Sequence, residues 1–307
     1  MNHLLKKIPM PITGLMLSLA ALGNLVQSYG ETYRTILGGL SFVIFIIATI
    51  KFVCDFSGLK KDLSTPVGAS IFPTYTMGAM LLATYVKPYH QGAAFGFWTA
   101  AITLHIILII YFTLKFVKHF NMMEVFPSWF IVYVGIAVAA VTGKAFSPAV
   151  GQWSFGFALL SYLILIPIIG KRVLWIKKIP EPALPTLIIF SAPGSLCLAG
   201  YINSFETKHM LLLGFLLLLS QVIYLLAVIK LAQLLQLKFY PSYSGFTFPL
   251  VISAIALKSS NAFLINQGYS TGFLSILVKI EEIIAVCIVF YVLIRYLCHI
   301  VKHNKTA

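Results

Sequence analysis

The sequence predicts an all-α integral membrane protein, and both its composition and the lengths of its apolar runs support this fold class. Of the 307 residues, 60% are hydrophobic and only 10% are charged, whereas soluble globular proteins carry about 25% charged residues. The mean hydropathy of the chain is +0.95. A helix needs about 20 residues to cross a bilayer core about 30 Å thick, and apolar runs of this length recur throughout the chain.

The apolar runs define ten predicted membrane-crossing helices, which we call segments 1 to 10. Short polar breaks separate them, so residues 1–307 are predicted to form a single transmembrane domain. Segment 10 is unusual because Lys279, Glu281 and Glu282 lie near its start, and the pattern assigns these residues no role. The predicted segments cover residues 9–28, 32–54, 66–86, 92–117, 125–146, 151–170, 183–203, 209–234, 243–264 and 274–298.

Segment 1 begins close to the start of the chain, where basic residues followed by an apolar stretch also fit a secretory signal peptide. Pro9 and Pro11 open this apolar stretch, and segment 2 follows directly. Both features favour a membrane helix that is kept in the mature protein.

The distribution of Lys and Arg predicts the orientation of the chain, because cytoplasmic loops carry an excess of these residues. One side, which includes Lys6, Lys7, Lys302 and Lys305 near the termini, holds 16 of the 22 basic residues, and the other side holds 6. We therefore expect both termini to be cytoplasmic and the protein to be a multi-pass protein of the plasma (inner) membrane.

Prolines mark every second segment. The odd-numbered segments each carry an interior proline, whereas the even-numbered segments carry none, since Pro167 lies close to the cytoplasmic end of segment 6. Successive prolines of the odd-numbered segments are 62, 54, 66 and 56 residues apart, which is the length of one helical hairpin. These prolines are Pro11, Pro73, Pro127, Pro193 and Pro249.

The alternation of prolines predicts five tandem hairpins, each with one kinked and one straight helix. Proline is common in membrane helices, which explains the number of prolines but not their restriction to alternate segments. A kinked helix frees backbone groups, and irregular backbone at membrane depth is tolerated where it is buried or lines a cavity. We therefore expect an inner ring of five odd-numbered segments around a pore and an outer ring of five even-numbered segments against lipid.

The predicted pore favours anions over cations. No odd-numbered segment carries Asp or Glu at mid-depth, whereas cation pathways and proton-coupled carriers usually contain intramembrane carboxylates or histidines. Interrupted helices can direct backbone amides toward a cavity, and small or hydroxyl side chains near the prolines can line it. The candidate lining residues are Gly14, Thr74, Ser128, Gly194, Ser195, Ser244 and Thr247.

Two lysines are candidates for attracting anions at the outer mouth of this pore. Lys144 and Lys258 lie near the outer ends of segments 5 and 9. The alternative is that their long side chains extend to the lipid headgroups.

Phe248 is the candidate gate. It immediately precedes Pro249 in segment 9, and a phenyl ring beside a helix break can close a narrow pore by steric occlusion and dewetting. Packing is the ordinary role of a membrane phenylalanine, and it stays the alternative for Phe248. Phe246, two residues earlier, is the second choice for the gate.

The sequence predicts neither an enzyme nor a cofactor, metal or nucleic-acid site. The basic residues are scattered between apolar runs and do not cluster on a soluble domain. His105 and His299 lie inside apolar runs, but a haem or metal site would need further ligands at matching spacing. The four cysteines stand singly, with no CxxC motif: Cys54, Cys197, Cys287 and Cys298.

Three motifs resemble those of a known transporter family. These are PITG at 11–14, FPSWFIVYVG at 126–135 and FTFPL at 246–250, of which the last is the most specific. Together with the ten-helix plan, they resemble the tellurite-resistance and dicarboxylate transporter family, which includes bacterial TehA, yeast-type malate permeases and the slow anion channels of plant guard cells.

The resemblance implies a five-fold pseudosymmetric pore within each subunit, a homotrimer with three separate pores, and a phenylalanine gate that falls on Phe248. Phosphorylation-regulated tails, as in the plant channels, are not implied. The expected function is an anion channel or uniporter for small anions. A secondary carrier or efflux permease for C4-dicarboxylate, sulfite or related oxyanions is the alternative, and the sequence does not select the physiological anion.

Overall fold

The computed structural model describes residues 8–305, with side chains described as far as Val301, and these residues form helices and turns without any β-strand. Lys6 and Lys7, and the side chains of Lys302 and Lys305, which contribute to the predicted orientation, lie outside this described part. Over the described residues the protein is all-helical, as the composition predicts.

The even-numbered segments are long and nearly continuous helices. Side-chain caps start two of them: His90 Nδ1 accepts a hydrogen bond from the amide of Ala93 (3.0 Å) and Ser147 Oγ accepts one from the amide of Val150 (3.5 Å). Segments 4 and 6 end in short π-helical turns. The helices are Glu31–Cys54, Gln91–Phe112 with Thr113–Val117, Pro148–Lys171 with Arg172–Ile176, Met210–Leu234 and Gly272–Lys305.

The odd-numbered segments are interrupted. Segment 1 is the helix Ile12–Val26, followed by a 3-10 turn, Gln27–Tyr29. Segments 7 and 9 begin as 3-10 helices before they become α-helical, and segment 5 consists of three short pieces. The pieces are Pro66–Ile71 and Thr74–Val86 in segment 3; Trp129–Tyr133, Ala137–Val141 and Gly143–Phe146 in segment 5; Glu181–Ser191 and Ala192–Ser204 in segment 7; and Pro241–Phe246 and Thr247–Asn266 in segment 9.

The repeated prolines stand where these α-helical pieces start. Pro11 and Pro73 occupy the positions just before their helices, and Pro193 and Pro249 lie in the first turn. Pro127 lies two residues before the first helix of segment 5. The first turn of a helix does not use its amide groups for intrahelical bonds, so proline is tolerated there. In segments 3, 7 and 9 the prolines therefore lie at the junction of two helical pieces without breaking an established helix, whereas Pro11 and Pro127 precede the first helical piece of their segments.

Hydroxyl side chains satisfy backbone carbonyls next to these interruptions. Thr13 Oγ1 donates a hydrogen bond to the carbonyl of Met10 (3.0 Å), and Thr74 Oγ1 donates one to the carbonyl of Ile71 (2.8 Å). Thr247 Oγ1 donates in the same way to Ser244 O (2.7 Å). Interrupted helices in a membrane need such partners because lipid offers none. Several hydroxyls expected to face the pore are thus engaged with backbone.

Burial separates the two sets of segments. The most apolar windows of segments 1, 3, 7 and 9 are 72%, 78%, 83% and 61% buried. The corresponding windows of segments 2, 4, 6, 8 and 10 are only 33%, 28%, 33%, 28% and 22% buried. Among the described residues, these nine helical runs are long and apolar enough to cross a membrane, and segment 5 is divided into pieces that are individually too short.

Helix contacts connect the segments in a regular order. Segment 1 contacts segments 3 and 9, segment 5 contacts segments 3 and 7, and segment 7 contacts segment 9. Each even-numbered segment packs against the odd-numbered segment before it and the one after it, and segment 10 packs against segments 9 and 1. A short helix that the sequence did not predict, Phe56–Leu63, connects segments 2 and 3.

Candidate functional site: two cavities on either side of Phe248

Residues of all five odd-numbered segments line one cavity, which we call the inner cavity. Its volume is about 50 Å³, counted as space for the centres of water molecules, and about 10–15 Å³ on that measure holds one water. Its wall is mainly apolar, with hydroxyl groups from segments 3, 7 and 9. The lining includes Gly14 and Leu17 of segment 1, Thr74 and Met77 of segment 3, Phe130 and Gly135 of segment 5, Pro193 and Leu196 of segment 7, and Ser244, Phe248 and Pro249 of segment 9.

A second cavity lies toward the opposite ends of the same segments, and we call it the outer cavity because the sequence predicts that these ends face away from the cytoplasm. Its volume is about 370 Å³ on the same measure, and polar and basic side chains contribute to its wall. The apolar part of the wall comes largely from segments 5 and 9. The polar lining residues are Asn24, Gln27, Arg34, Thr84, Thr142, Lys144, Asn203 and Ser259.

Phe248 and Leu196 line both cavities, so they lie between them. Phe248 is only 6% exposed and Leu196 only 2% exposed. Phe248 belongs to the first α-helical turn of segment 9, directly after the 3-10 piece ends at Phe246. An aromatic and an aliphatic side chain therefore separate a small inner cavity from a larger outer one.

Segment 9 presents one face to the outer cavity. Phe248, Ile252, Ile255 and Ser259 all line it, and their spacing of three or four residues places them on one side of an α-helix. Because Phe248 stands at the inner end of this stripe, its ring is the last side chain of the stripe on the way from the outer cavity to the inner one.

Arg34 is held at the wall of the outer cavity by several contacts. Its Nε donates to Asn24 Oδ1 (3.0 Å) and its Nη2 to the carbonyl of Thr84 (3.2 Å). The guanidinium group also lies 4.4 Å from the centre of the Tyr85 ring, a favourable cation–π position. Glu31, which is largely exposed, lies 3.6 Å from the Arg34 guanidinium. These contacts fix a positive charge beside the cavity.

Lys144 adds a second positive charge to the outer cavity. Its side chain is exposed and contributes to the cavity wall. Burial, and secondly the charge of nearby Lys144, lower the pKa of Lys208 on the connection between segments 7 and 8. The second of these causes means that the two ammonium groups lie close enough to repel each other.

The structure divides the predicted lining residues into two groups. Gly14, Thr74 and Ser244 line the inner cavity, together with Pro193 and Pro249. Ser128, Gly194, Ser195 and Thr247 line neither of these two cavities, and the same holds for Pro11, Pro73 and Pro127.

Each of the four residues Ser128, Gly194, Ser195 and Thr247 contacts another part of the protein. Ser128 Oγ lies 2.6 Å from Ser70 Oγ, and Thr247 Oγ1 lies 2.6 Å from Ser18 Oγ. Ser195 Oγ donates to the carbonyl of Ser191 (3.0 Å). Gly194 faces segments 6 and 8, where Tyr162 and Ser220 approach it. These residues hold the interrupted segments together.

Phe246 and Lys258 also lie away from the cavities. Phe246 is fully buried, and its ring packs 4.7 Å from the ring of Tyr243. The ammonium group of Lys258 forms an ion pair with Glu282 (2.6 Å) and donates to the carbonyl of Leu25 (2.8 Å). Lys258 therefore lines neither cavity, and the buried Glu282 carboxylate holds its ammonium group.

Sequence reasoning missed part of the outer wall. Arg34 was counted only for orientation, and Asn24, Asn203 and Leu196 were not considered. The polar character of Asn24 and Asn203 near the outer ends of segments 1 and 7 was a usable signal. Leu196 carried none, because one leucine among many apolar residues does not reveal which way it faces.

His105 is buried and contacts two neighbouring segments. Its Nδ1 lies 2.7 Å from Thr76 Oγ1 and its Nε2 lies 3.1 Å from the carbonyl of Val132. It therefore connects segment 4 to segments 3 and 5. Over the described residues, no group of three or more His, Cys, Asp and Glu side chains is placed to hold a metal ion.

Comparison with known proteins adds a family match. Residues 7–297 match the model of the family described as SLAC1, voltage-dependent anion channel. A comparison with curated proteins found no match.

Proposed function

Because the chain belongs to the SLAC1 family of voltage-dependent anion channels, whose match covers residues 7–297, we propose that it conducts small anions through a pore within each subunit. The match confirms the resemblance identified from the sequence motifs. The protein is a multi-pass membrane protein of an anion channel and transporter family, and we propose transport, not catalysis, as its activity.

The two cavities separated by Phe248 are the observation that carries this proposal. The odd-numbered segments that line them contact one another in sequence from segment 1 to segment 9 and back to segment 1. We propose that these five form an inner ring around the pore and that the even-numbered segments, which are mostly exposed, form the outer ring. The tandem hairpins follow from this order, since each outer helix packs between two inner ones.

In this proposal Phe248 is the gate. Its ring closes the path between the cavities, and with Leu196 it forms an apolar constriction that excludes water. An anion cannot shed its hydration there without compensation. Rotation of the ring toward either cavity would open the path, because both cavities are adjacent to it.

The charge of the walls favours anions. Arg34 and Lys144 line the outer cavity, and neither cavity has a carboxylate among its described lining residues. Positive charge beside a cavity with low-dielectric walls raises the local concentration of anions. The inner cavity lacks a fixed charge and would bind anions only weakly, which conduction requires.

Purified protein in liposomes or planar bilayers tests the function directly. A series of substituted anions should shift the reversal potential according to the anion gradient, with little contribution from cations. Currents that follow the cation gradient, or the absence of anion flux from both the natural protein and the open-gate variant described in the Discussion, would refute the proposal.

A secondary carrier or efflux permease for C4-dicarboxylate, sulfite or related oxyanions is the second candidate. One observation favours it: Glu281 places a carboxyl group in the protein interior, where coupled carriers keep such groups. The same recordings separate the two candidates. A channel follows the anion gradient alone, whereas a carrier coupled to protons or sodium also shifts with their gradients.

We further propose a homotrimer in the plasma membrane with both termini cytoplasmic. The excess of basic residues on the side of the termini supports the orientation, and the trimer follows from the family resemblance. Native mass spectrometry gives the subunit number. Cysteine labelling from either side of the membrane, in a variant that lacks the four natural cysteines, gives the orientation.

Replacing Lys144 with glutamine should lower anion flux roughly threefold at low ionic strength, because the outer cavity loses a charge that concentrates anions. The effect should shrink in about 1 M salt, where the Debye length is only about 3 Å. Lys279→Gln is the matched control, since Lys279 is also exposed but lines neither cavity. Equal fluxes for the two variants would contradict an attracting role for Lys144.

A further inference from the structure

Segment 10 carries two adjacent glutamates in opposite surroundings. Both are buried, with 4% of Glu282 and 2% of Glu281 exposed. Glu282 is neutralised by Lys258 at 2.6 Å and Lys279 at 3.4 Å, and it also accepts a hydrogen bond from Tyr29. Glu281 has no ion pair among the described residues.

Uncharged polar side chains surround Glu281. Its carboxyl group faces the Gln221 amide of segment 8 and the Ser253 hydroxyl of segment 9, with the Tyr224 hydroxyl of segment 8 nearby. Four polar atoms of this cluster are buried and form no hydrogen bond of regular geometry, although the Gln221 amide and the Ser253 hydroxyl lie close enough to interact with the carboxyl group: Gln221 Nε2, Tyr224 OH, Ser253 Oγ and Glu281 Oε2.

This arrangement is unfavourable for a charged Glu281 carboxylate, because no counter-charge in the described part of the chain pairs with it. A buried charge without a counter-charge costs many kcal/mol, and the group generally becomes neutral by taking up a proton. Buried polar atoms without partners are rare in folded proteins. Three of them around a carboxyl group whose own Oε2 also lacks a regular hydrogen bond therefore point to a site whose occupancy changes, and not to a passive packing contact.

We propose that Glu281, with Gln221, Tyr224 and Ser253, forms a proton-binding site whose occupancy controls the Phe248 gate. The control of the gate rests on the proposed function. The ligand is a proton carried by the Glu281 carboxyl group. The neighbouring hydroxyl and amide groups orient toward the carboxylate when the proton leaves and relax when it binds.

Segment 9 connects this site to the gate. Ser253 lies five residues after Phe248 on the same helix, so at about 100° per residue it points about 140° away from it. Phe248 thus faces the cavities while Ser253 faces segments 8 and 10. A stronger attraction of Ser253 to a charged Glu281 would shift segment 9 and with it the Phe248 ring.

Few other titratable groups face Glu281. On segment 8 the group is Tyr224. On segment 9, Lys258 faces Glu282, as does Tyr29 from the turn after segment 1. On segment 10 itself, Lys279 is directed to Tyr29 and Glu282. A change of pH between about pH 5 and about pH 8 at this site should therefore act mainly through Glu281.

Transport and infrared measurements on full-length protein in liposomes test the proposal. Anion flux of the natural protein should change by roughly fivefold or more between about pH 5 and about pH 8, a typical coupling between two sites. Glu281→Gln mimics the protonated carboxyl group, so its flux should stay at the natural protein's low-pH level throughout. Glu206→Gln, which changes an exposed glutamate in the same way, should keep the natural pH profile.

Infrared difference spectra provide a readout that does not depend on transport. The natural protein should show a protonated-carboxyl band that titrates in this pH range and is lost in Glu281→Gln. Tyr224→Phe should shift the midpoint of that titration. It is the second variant to use if Glu281→Gln folds poorly. Absence of the band overturns the proposal, as does a natural pH profile in Glu281→Gln or a flux set by sodium at constant pH. Loss of all anion flux with the band intact would instead refute the proposed function.

Discussion

Replacing Phe248 with alanine is expected to raise anion conductance by roughly tenfold or more, the largest functional effect that the structure predicts. The phenyl ring lies between an inner cavity of about 50 Å³ and an outer cavity of about 370 Å³. Its removal should join them into one path wide enough for water and a small anion, because an apolar constriction closes a pore by excluding water. Single-channel or whole-cell recordings, normalised to the amount of protein in the membrane, measure this change.

Phe246→Ala is the matched control for the gate. Phe246 is also a buried phenylalanine of segment 9, but it packs against Tyr243 and lines neither cavity. Its replacement should lower thermal stability without opening the pore. An increase in current for Phe246→Ala, together with unchanged current for Phe248→Ala at normal expression, would move the gate to the earlier residue.

Leu196 should modify the size of the gate effect. It is the other residue shared by both cavities, and it comes from segment 7, so the constriction has walls from two different segments. If both side chains close the path, the combined replacement of Phe248 and Leu196 by alanine should conduct more than either single variant. A Leu196→Ala flux equal to that of the natural protein would mean that the phenyl ring closes the path alone.

Gly135→Ala is expected to cause the largest loss of stability. A Cβ atom added at Gly135 would lie 2.2 Å from the carbonyl oxygen of Ile131 and 2.7 Å from the sulfur of Met77. Backbone cannot move aside as easily as a flexible side chain, and overpacking a close-packed interior typically costs about 1–3 kcal/mol. We expect a clear decrease in the thermal unfolding temperature in detergent, measured by intrinsic fluorescence or by size-exclusion chromatography after heating.

Gly156→Ala provides the comparison for Gly135. Gly156 lies within the long helix of segment 6, and no atom stands within 4 Å of an added Cβ. Alanine is favoured over glycine in a helix by roughly 0.5–1 kcal/mol, so this variant should be as stable as the natural protein or slightly more stable. Equal losses of stability in the two variants would show that close packing around segment 5 is not what makes Gly135 necessary.

The class of the protein and its transport family were predictable from local features of the chain. Hydropathy and run length identify membrane helices because each helix must satisfy its own backbone in lipid, whatever its neighbours. The prolines indicate which segments are interrupted because proline acts on its own backbone and on the turn before it. Pro73 and Pro249 illustrate this point, since each stands at the start of a helical piece.

The direction in which individual side chains point was less predictable. Thr247 and Ser244 are three residues apart and were both expected to face the pore, but only Ser244 lines the inner cavity. A 3-10 helix places residues three apart on the same side, but Thr247 is the first residue of the α-helical piece that follows. Its hydroxyl is turned to the carbonyl of Ser244 (2.7 Å) and to Ser18 Oγ of segment 1 (2.6 Å). A count based on a regular α-helix therefore fails at the interruption, where the candidate gate lies.

The sequence alone thus determined that the chain is helical, membrane-spanning and interrupted at every second segment, since each of these properties depends on neighbouring residues. Only the tertiary structure decided that Phe248 and Leu196 both line the two cavities, that Arg34 lines the outer cavity, and that Lys258 forms an ion pair with Glu282. The physical reason is that these relations depend on how helices far apart in the chain rotate and pack against one another. Such contacts leave no periodic signal in any one segment.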